Sequence, residues 1–285
     1  MRYHTPASFE DASAIAASAS GVTRFLAGGT DVLVQLRSGM VIPDDLIDVK
    51  KIADVQSVER TEEGGWRIGV AASGAQLGAN TALVAEWPGV VEGMELVGST
   101  QVQGRATLTG NLCNGSPAAD SVPGLVAAGA MVHVTGPTGQ RILAVEDVPT
   151  GPGKTALTKG EVITAITLPP RGQNGGDAYL RFIPRTEMDI AVVGCAVSLT
   201  LDGDRITAAR VAMGAVAPTV VLVPDAAAAI IGTSLDDPAL EALAAAATAA
   251  CNPIDDKRGT VEFRKDVAGV LARRAARIAY ERAKG

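Results

Sequence analysis

The amino-acid sequence predicts an α+β protein with two domains, and three observations support this prediction. Apolar residues make up 47% of the 285 residues, which is enough for one large core or two smaller ones. Segments with the patterning of strands and segments with the patterning of helices occur along the whole chain. Residues 169–176, Pro-Pro-Arg-Gly-Gln-Asn-Gly-Gly, have the composition of a linker. We therefore expect domains over residues 1–173 and 177–285.

The first domain is expected to begin with a helix, since Ser8 and Asp11 form the pattern of a capping box and an alanine-rich segment continues to about residue 20. A strand over residues 22–27 and a helix from about residue 32 flank the turn Gly-Gly-Thr-Asp at residues 28–31. Such an arrangement can present free N–H groups to a phosphate. From these residues alone, an ordinary capped connection between strand and helix is the favoured interpretation.

The rest of the first domain is predicted to alternate between strands and helices. The expected strands cover residues 46–49, 66–70, 126–134 and 162–168, and the expected helices cover residues 75–84 and 90–97. Residues 148–155 end in Gly-Lys-Thr and imitate a phosphate-binding P-loop, but Val148 stands where that pattern requires glycine. We interpret them as a loop that leads to the strand 162–168.

The second domain is predicted to contain a hairpin followed by three helices. Strands over residues 191–201 and 205–214 flank Asp202-Gly203, a common hairpin turn. Helices are expected over residues 225–231, 238–251 and from about residue 260. The apolar stripe of the last helix is predicted to be Phe263, Val267, Val270, Leu271 and Ile278. The same helix is predicted to have a solvated face of arginines, and a partner-binding face is the alternative. These arginines are Arg273, Arg274, Arg277 and Arg282.

Composition and charge argue against several classes of protein. The net charge is −6, whereas a nucleic-acid-binding domain is normally basic. The three cysteines and two histidines show no metal-type spacing, so we expect no metal and no iron–sulfur cluster in this chain. The sequence contains no apolar run near the roughly 18 residues that a membrane span requires. Because sparse cysteines suit a reducing compartment, we expect a cytoplasmic protein.

Two stretches of small and polar residues, 26–33 and 107–125, carry the main functional signal. In the second, Gly110 and Gly115 permit backbone conformations that other residues avoid. Its backbone N–H groups and its Thr, Asn, Ser and Asp side chains can surround a polar ligand, and we expect it not to contribute to a core. Two such stretches suggest that they form one shared site.

The sequence indicates no catalytic side chain. No G-x-S-x-G elbow is present and histidine is nearly absent, which disfavours a hydrolytic triad. No residue near Cys113 in the sequence would lower its pKa, so a packing role is favoured for this thiol. The G-x-G-x-x-G fingerprint of a Rossmann fold is also missing. A redox function would therefore depend on a bound cofactor.

The motifs resemble those of the FAD-binding subunit or domain of molybdenum hydroxylases, the group of xanthine dehydrogenase, carbon monoxide dehydrogenase and hydroxybenzoyl-CoA reductase. Residues 107–120 resemble its pattern T-x-G-G-N-x-x-x-x-S-P-x-x-D, and residues 27–31 resemble its pattern A-G-G-T-D. Further matches, in family order, are residues 151–157, 160–166 and Arg185 with residues 189–191.

The sequence departs from the family pattern at two positions. Thr109 stands where the family usually has the first glycine of a pair. Arg181 stands where a lysine is common, which keeps the positive charge and changes the hydrogen-bonding shape.

The resemblance implies a two-part FAD-binding domain of the vanillyl-alcohol-oxidase/PCMH type, with subdomains of about residues 1–55 and 56–173. A smaller α+β domain of the CO dehydrogenase flavoprotein type would follow. Ile163 and Arg181 would flank the isoalloxazine, and Asp120 would accept a hydrogen bond from a hydroxyl of the ribityl or adenosine portion. The full set of implied FAD-binding residues is Leu26, Ala27, Gly28, Gly29, Thr30, Asp31, Val32, Val97, Gly98, Thr107, Thr109, Gly110, Asn111, Ser116, Asp120, Ile163 and Arg181.

The resemblance also implies partners. A large molybdopterin subunit would oxidise the substrate and a small subunit with two [2Fe–2S] clusters would relay electrons to FAD, within a dimer of heterotrimers. NAD, a quinone or oxygen would be the external acceptor. Two alternatives remain at this point: a stand-alone FAD-dependent oxidoreductase, and a flavin-free structural subunit. Thr109 in place of glycine is the best support for the structural subunit.

Overall fold

The computed structural model describes residues 1–185 and 188–285, and these residues form four β-sheets with helices packed around them. The chain begins with a three-stranded parallel sheet in the order β1-β3-β2. Its elements are β1 (Arg2–His4), α1 (Phe9–Ser18), β2 (Thr23–Leu26), α2 (Val32–Arg37) and β3 (Asp45–Asp48). The predicted cap of α1 is confirmed, because the Ser8 hydroxyl accepts a hydrogen bond from the Asp11 N–H at 3.0 Å.

A five-stranded antiparallel sheet follows, in the order β4-β5-β10-β6-β7. Its strands are β4 (Val58–Arg60), β5 (Trp66–Gly69), β6 (Met131–Gly136), β7 (Gly139–Ala144) and β10 (Val162–Leu168). The helices around it are α3 (Gly74–Ala79), α4 (Thr81–Glu86), α5 (Pro88–Glu95), α6 (Thr100–Gln103), α7 (Leu108–Cys113) and α8 (Ser121–Ala128). Two short strands, β8 (Pro149–Gly151) and β9 (Lys154–Thr155), form a separate hairpin.

The expectation that residues 107–125 lie outside the core is wrong. The stretch contains α7 and the start of α8, and Leu108, Leu112 and Leu125 are fully buried in the core of the five-stranded sheet. The physical reason is helical spacing, since apolar residues three and four positions apart share one face of a helix. The polar residues between them stay available to the opposite side.

The predicted strand 126–134 is also partly wrong. Residues up to Ala128 complete α8, and β6 begins only at Met131. Gly129, at φ +68°, ends the helix in the left-handed conformation that glycine adopts without strain. The interpretation of residues 148–155 is confirmed in its main point, because this segment leads through a hairpin to a strand and not to the helix that a P-loop requires.

A four-stranded antiparallel sheet, in the order β11-β12-β13-β14, forms the C-terminal region together with three helices. The elements are β11 (Gly175–Phe182), β12 (Val193–Asp202), β13 (Arg205–Gly214), β14 (Val221–Leu222), α9 (Pro224–Ile230), α10 (Asp237–Ala249) and α11 (Val261–Lys284). The predicted hairpin at Asp202-Gly203 is confirmed, with Gly203 at φ +58°. The last two residues of the predicted linker belong to β11, where a Cβ on Gly176 would lie 2.1 Å from the Ala279 carbonyl oxygen of α11.

The predicted apolar stripe of α11 is largely wrong. Leu271 is buried, whereas Val267, Val270 and Ile278 are only partly buried and Phe263 is 41% exposed. The buried face consists mainly of small residues: Ala268, Gly269, Ala272, Ala275, Ala276, Ala279 and Ala283. Small side chains allow α11 to lie close to the sheet, so its larger apolar residues fall at the edges of the contact. One of the four arginines predicted to form a solvated face, Arg282, instead pairs with Glu92 of α5.

Buried ion pairs connect the C-terminal sheet to the preceding region. Arg171 pairs with Asp177 at 2.7 Å and stacks over Trp87, with 3.6 Å from its guanidinium carbon to the ring centre. The Tyr179 side chain of β11 belongs to the same core as α5 and α8. One face of the sheet therefore packs on the five-stranded region and the other on α9 and α11, with α10 packed against these two helices. No helix among the described residues combines the length and the apolar character needed to cross a membrane.

Candidate functional site

A cleft of about 730 Å³ opens between the N-terminal sheet and the five-stranded sheet. Residues of both polar stretches line it, as does a third segment, residues 153–163. Its volume lies within the range of small-molecule and cofactor sites in proteins. The expectation that the two polar stretches meet at one place is confirmed.

Close backbone packing brings the two stretches together. A Cβ on Gly28 would lie 2.0 Å from the carbonyl oxygen of Arg105, so only glycine allows the turn after β2 to approach the residues before α7. Side chains also join the stretches, because Gln35 donates to the Asn114 amide oxygen at 3.2 Å. Asn114 in turn donates to an Asp31 carboxylate oxygen at 3.4 Å. The relative position of α2 and α7 therefore depends on contacts between residues far apart in the sequence.

Several polar side chains of the second stretch are used to build α7 and α8. The Thr107 hydroxyl accepts from the Gly110 N–H at 3.0 Å and caps α7. The Asn111 amide oxygen accepts from both the backbone N–H and the hydroxyl of Ser121. These bonds fix the wall of the cleft from inside the protein.

Asp31 is an acid that lines the cleft and keeps much of its surface exposed. It precedes α2 and makes no capping hydrogen bond with its side chain, unlike Thr107 at α7. Burial raises its pKa above the usual value of a carboxyl group, because removal from water disfavours the charged form. Its carboxylate remains available to accept hydrogen bonds from a ligand.

Of the third wall of the cleft, residues 153–163, the sequence reasoning named only Ile163 as a site residue. The Gly153 N–H donates to the Gly115 carbonyl oxygen at 2.9 Å, which seats the β8–β9 hairpin against the end of α7. Glu161 is held by Arg141 through two hydrogen bonds of 2.6 and 2.7 Å, and Arg141 lowers the pKa of the Glu161 carboxyl. The family-like matches at residues 151–157 and 160–166 were the only signal for this wall in the sequence.

Most of the residues that the resemblance implied for FAD lie together in the cleft. Its lining includes Ala27, Gly28, Gly29, Thr30, Asp31, Val32, Val97, Thr107, Thr109, Gly110, Asn111 and Ile163. It also includes residues that were not expected there, such as Phe25, Gln35, Asn114, Leu157 and Lys159. Leu26, Gly98, Ser116, Asp120 and Arg181 lie outside the lining.

Asp120 and Arg181 contact each other behind the cleft. Their side chains pair at 2.7 Å, and the Tyr179 hydroxyl donates to the same carboxylate at 2.8 Å. Burial raises the pKa of Asp120, while the positive charge of Arg181 and the bond from Tyr179 act in the opposite direction. Arg181 also donates to the Leu96 carbonyl oxygen, next to the cleft residue Val97. Both residues are thus placed to support the wall, and their role toward a cofactor stays a prediction.

Cys113 lines the cleft and keeps part of its surface exposed. The surrounding protein raises the pKa of its thiol to about 12, because it disfavours the thiolate. The thiol is therefore protonated near neutral pH and is a poor nucleophile. Among the described residues, no group of three or more His, Cys, Asp and Glu side chains is arranged to hold a metal ion.

The residues of the cleft fit a large cofactor that carries phosphates and hydroxyls. Three features line one continuous space. They are the turn at Gly28, where a Cβ would clash, a set of hydroxyl and amide side chains, and an apolar flank at Val97 and Ile163. Such a set binds both charged oxygens and a flat apolar ring. The fold and the cleft define an α+β protein that holds an extended cofactor between two sheets.

Comparison with known proteins gives the family. Residues 1–171 match the family model of the FAD binding domain in molybdopterin dehydrogenase, and residues 178–279 match that of the CO dehydrogenase flavoprotein C-terminal domain. The chain belongs to the FAD-binding medium subunits of the molybdenum hydroxylase family. Its members are flavoprotein oxidoreductases, and the predicted cofactor, FAD, and the predicted α+β fold are confirmed.

Individual relatives agree with this assignment. The carbon monoxide dehydrogenase medium chain of Afipia carboxidovorans is 34% identical over 282 residues, which are 99% of this chain and 97% of the relative. The xanthine dehydrogenase FAD-binding subunit of Escherichia coli is 30% identical over 92% of this chain and 90% of its own length. In the structure of reconstituted CO dehydrogenase from Oligotropha carboxidovorans, a 33% identical chain superposes with a TM-score of 0.94, covering 99% of this chain and 98% of that one.

Proposed function

We propose that this chain holds FAD in the cleft and passes electrons within a heteromeric molybdenum hydroxylase. Bound FAD would supply the redox chemistry, by taking electrons from the [2Fe–2S] clusters of a small subunit and delivering them to NAD, a quinone or oxygen. A large subunit with molybdopterin would oxidise the substrate. The relatives' names, medium chain and FAD-binding subunit, support a multi-chain enzyme. We include in the proposal a dimer of heterotrimers and a cytoplasmic location.

One observation carries this proposal: two glycine-containing stretches, 26–33 and 107–125, meet at a single cleft large enough for a cofactor. The backbone of the turn at Gly28 and Gly29 would hold the pyrophosphate, because N–H groups there can approach it without a side chain between them. The residues of segment 107–111 that line the cleft would hold the second phosphate and the ribityl chain through backbone N–H groups and the polar atoms not used for capping. Val97 and Ile163 would contact the isoalloxazine.

The remaining implied residues keep supporting roles in the proposal. Arg181 donates to the Leu96 carbonyl oxygen, next to the wall that Val97 forms, and its buried pair with Asp120 offsets part of its positive charge. A positive charge near the isoalloxazine would favour the reduced, partly anionic form of the flavin. We propose the domain boundary between β10 and β11, where residues 169–174 connect the two sheets.

The first test is the visible absorption spectrum of the purified chain after incubation with FAD and desalting. We expect a retained flavin band that Gly110→Leu abolishes, because Gly110 lines the cleft. Gly172→Leu is the matched control, since no atom lies within 4 Å of the position of its Cβ. A folded wild-type chain that retains no FAD, alone or co-expressed with its partner subunits, would contradict the proposal.

The same preparation separates the proposal from a stand-alone oxidoreductase. Two of the titratable groups of the cleft are poor candidates for acid or base chemistry on an organic substrate, since Cys113 is protonated and Glu161 is bound to Arg141. We therefore expect the isolated FAD-loaded chain not to turn over an organic donor. Reduction of its flavin by such a donor, without partner subunits, would decide for the stand-alone enzyme.

A further inference from the structure

Thr109 carries a hydroxyl that has no hydrogen-bond partner among residues 1–185 and 188–285. The residue is only 5% exposed and lines the cleft, and its side chain makes no hydrogen bond to any residue that the structure describes. The neighbouring polar side chains differ in this respect. Thr107 caps α7, and Asn111 accepts two bonds from Ser121.

The Thr109 hydroxyl also makes no hydrogen bond to the backbone carbonyl oxygens near it. A threonine within a helix commonly donates to the carbonyl three or four residues earlier. Here those carbonyls belong to Ala106 and Arg105, which precede α7. The Ala106 carbonyl oxygen accepts from the Gly74 N–H at 2.9 Å, and the Arg105 carbonyl oxygen lies against Gly28. The Thr109 hydroxyl bonds to neither of these two carbonyl oxygens.

Access to the hydroxyl distinguishes Thr109 from another threonine at the cleft. The Thr23 hydroxyl also lacks a partner among the described residues, but its oxygen is sealed from solvent. The Thr109 oxygen is not sealed in this way. A buried polar group without a partner is costly unless a ligand or a water completes it, so Thr109 is placed to bond to whatever fills the cleft.

We propose that the Thr109 hydroxyl is a specific hydrogen-bonding group for the cofactor and sets part of the affinity of the cleft for FAD. This inference rests on the proposed function and extends it to the side chain at a position where the family pattern has glycine. A hydroxyl can donate a hydrogen bond to a phosphate or ring oxygen and accept one from a ribityl hydroxyl. The Thr109 side chain can therefore bond to either kind of polar group in FAD. Thr109 is thereby an adaptation of the site and no longer an argument for a flavin-free subunit.

The test compares three substitutions by the dissociation constant for FAD, measured from flavin fluorescence on titration into the chain. Thr109→Ala removes the hydroxyl without adding bulk, and we expect it to weaken FAD binding by about tenfold. Thr109→Ser keeps the hydroxyl and should stay within about threefold of the wild type. Thr207→Ala is the control, because Thr207 is exposed on β13 and lies outside the cleft.

The outcomes separate this inference from the proposed function. If the wild-type chain binds FAD and Thr109→Ala binds FAD as tightly as Thr109→Ser does, the inference about Thr109 is overturned and the proposed function is not. A wild-type chain without affinity for FAD, also when co-expressed with its partner subunits, would overturn both. Circular dichroism and thermal unfolding of each variant exclude misfolding as the cause, and both substitutions make the side chain smaller and leave the helix intact.

Discussion

The cofactor cleft and the C-terminal sheet are built from elements of very different length. The two helices beside the cleft, α2 and α7, have six residues each. In the C-terminal region β12 and β13 have ten residues each and α11 has 24. Helices as short as α2 and α7 are not stable by themselves, so tertiary contacts must hold them.

This difference indicates where each region is sensitive. The cleft depends on a few close backbone approaches and side-chain bridges, such as Gly28 against Arg105 and Asn114 between Asp31 and Gln35. The C-terminal region depends on the burial of many small and medium apolar side chains between sheet and helices. Changes at the cleft should therefore act on cofactor binding first, and changes in the C-terminal core should act on stability first.

The largest expected effect tests the C-terminal side of the comparison. Leu243 on α10 is fully buried, and Leu243→Ala should lower the free energy of unfolding by roughly 2–5 kcal/mol through lost burial and the cavity left behind. Urea unfolding followed by circular dichroism measures this loss. FAD affinity of the folded fraction should be unchanged. A large loss of affinity without a loss of stability would break the comparison.

The next effect tests the cleft side. In Gly28→Ala the new Cβ meets the Arg105 carbonyl oxygen, and separating the two segments should cost roughly 1–3 kcal/mol. We expect the main consequence in FAD affinity, because the displaced turn lines the cleft. Gly104→Ala is the matched control, with no atom within 4 Å of its Cβ position and a φ of −65°. Equal FAD affinities of the two variants would show that the close approach does not shape the site.

A smaller effect is expected at the junction of the two regions. The buried Tyr179 hydroxyl on β11 donates to Asp120, so Tyr179→Phe removes one hydrogen bond of the pair with Arg181. The expected loss is about 1–2 kcal/mol of unfolding free energy, since Asp120 keeps its other partner. Calorimetry should show one transition in the wild type. If two transitions appear in the variant, the regions unfold separately once this contact is weakened.

The smallest effect is a pH dependence at the first sheet. Hydrogen bonds from Arg2 and then His4 lower the pKa of Asp45 to about 2, from a value near 3.9 in unfolded chains. Because the pKa is lower in the folded state, the stabilisation is present above about pH 4 and is lost as the pH falls toward 2. The stability difference between wild type and Asp45→Asn should shrink over that interval. A difference that stays constant between pH 5 and 2 would contradict the assignment.

Much of the secondary structure could be predicted because its signals are local. The strand 162–168 was predicted from its apolar and β-branched residues and the hairpin from the dipeptide Asp202-Gly203, and both are present. The boundary of α8 was missed because a continuous apolar run fits a buried strand as well as a buried helix. Gly129 was the signal that could have separated them.

The candidate site could be predicted only in part, for the same reason. Residues of the two glycine-containing stretches carry motifs, so most of them were found. Gln35, Asn114 and Lys159 carry none, and they reach the cleft only through the packing of α2, α7 and the segment after β9. Asp120 and Arg181 were expected beside FAD, and the structure shows them paired with each other, 61 positions apart in the chain.

The sequence by itself determined the family, the α+β class and the identity of the glycines and polar residues that could surround a cofactor. These follow from residue types at fixed spacings, which are local properties of the chain. Only the tertiary structure decided which face of α11 is buried, which polar groups are consumed by capping and ion pairs, and that the Thr109 hydroxyl bonds to none of the residues the structure describes. Such outcomes depend on which distant segments meet, because each hydrogen bond and each close contact removes a group from the surface that a ligand can use.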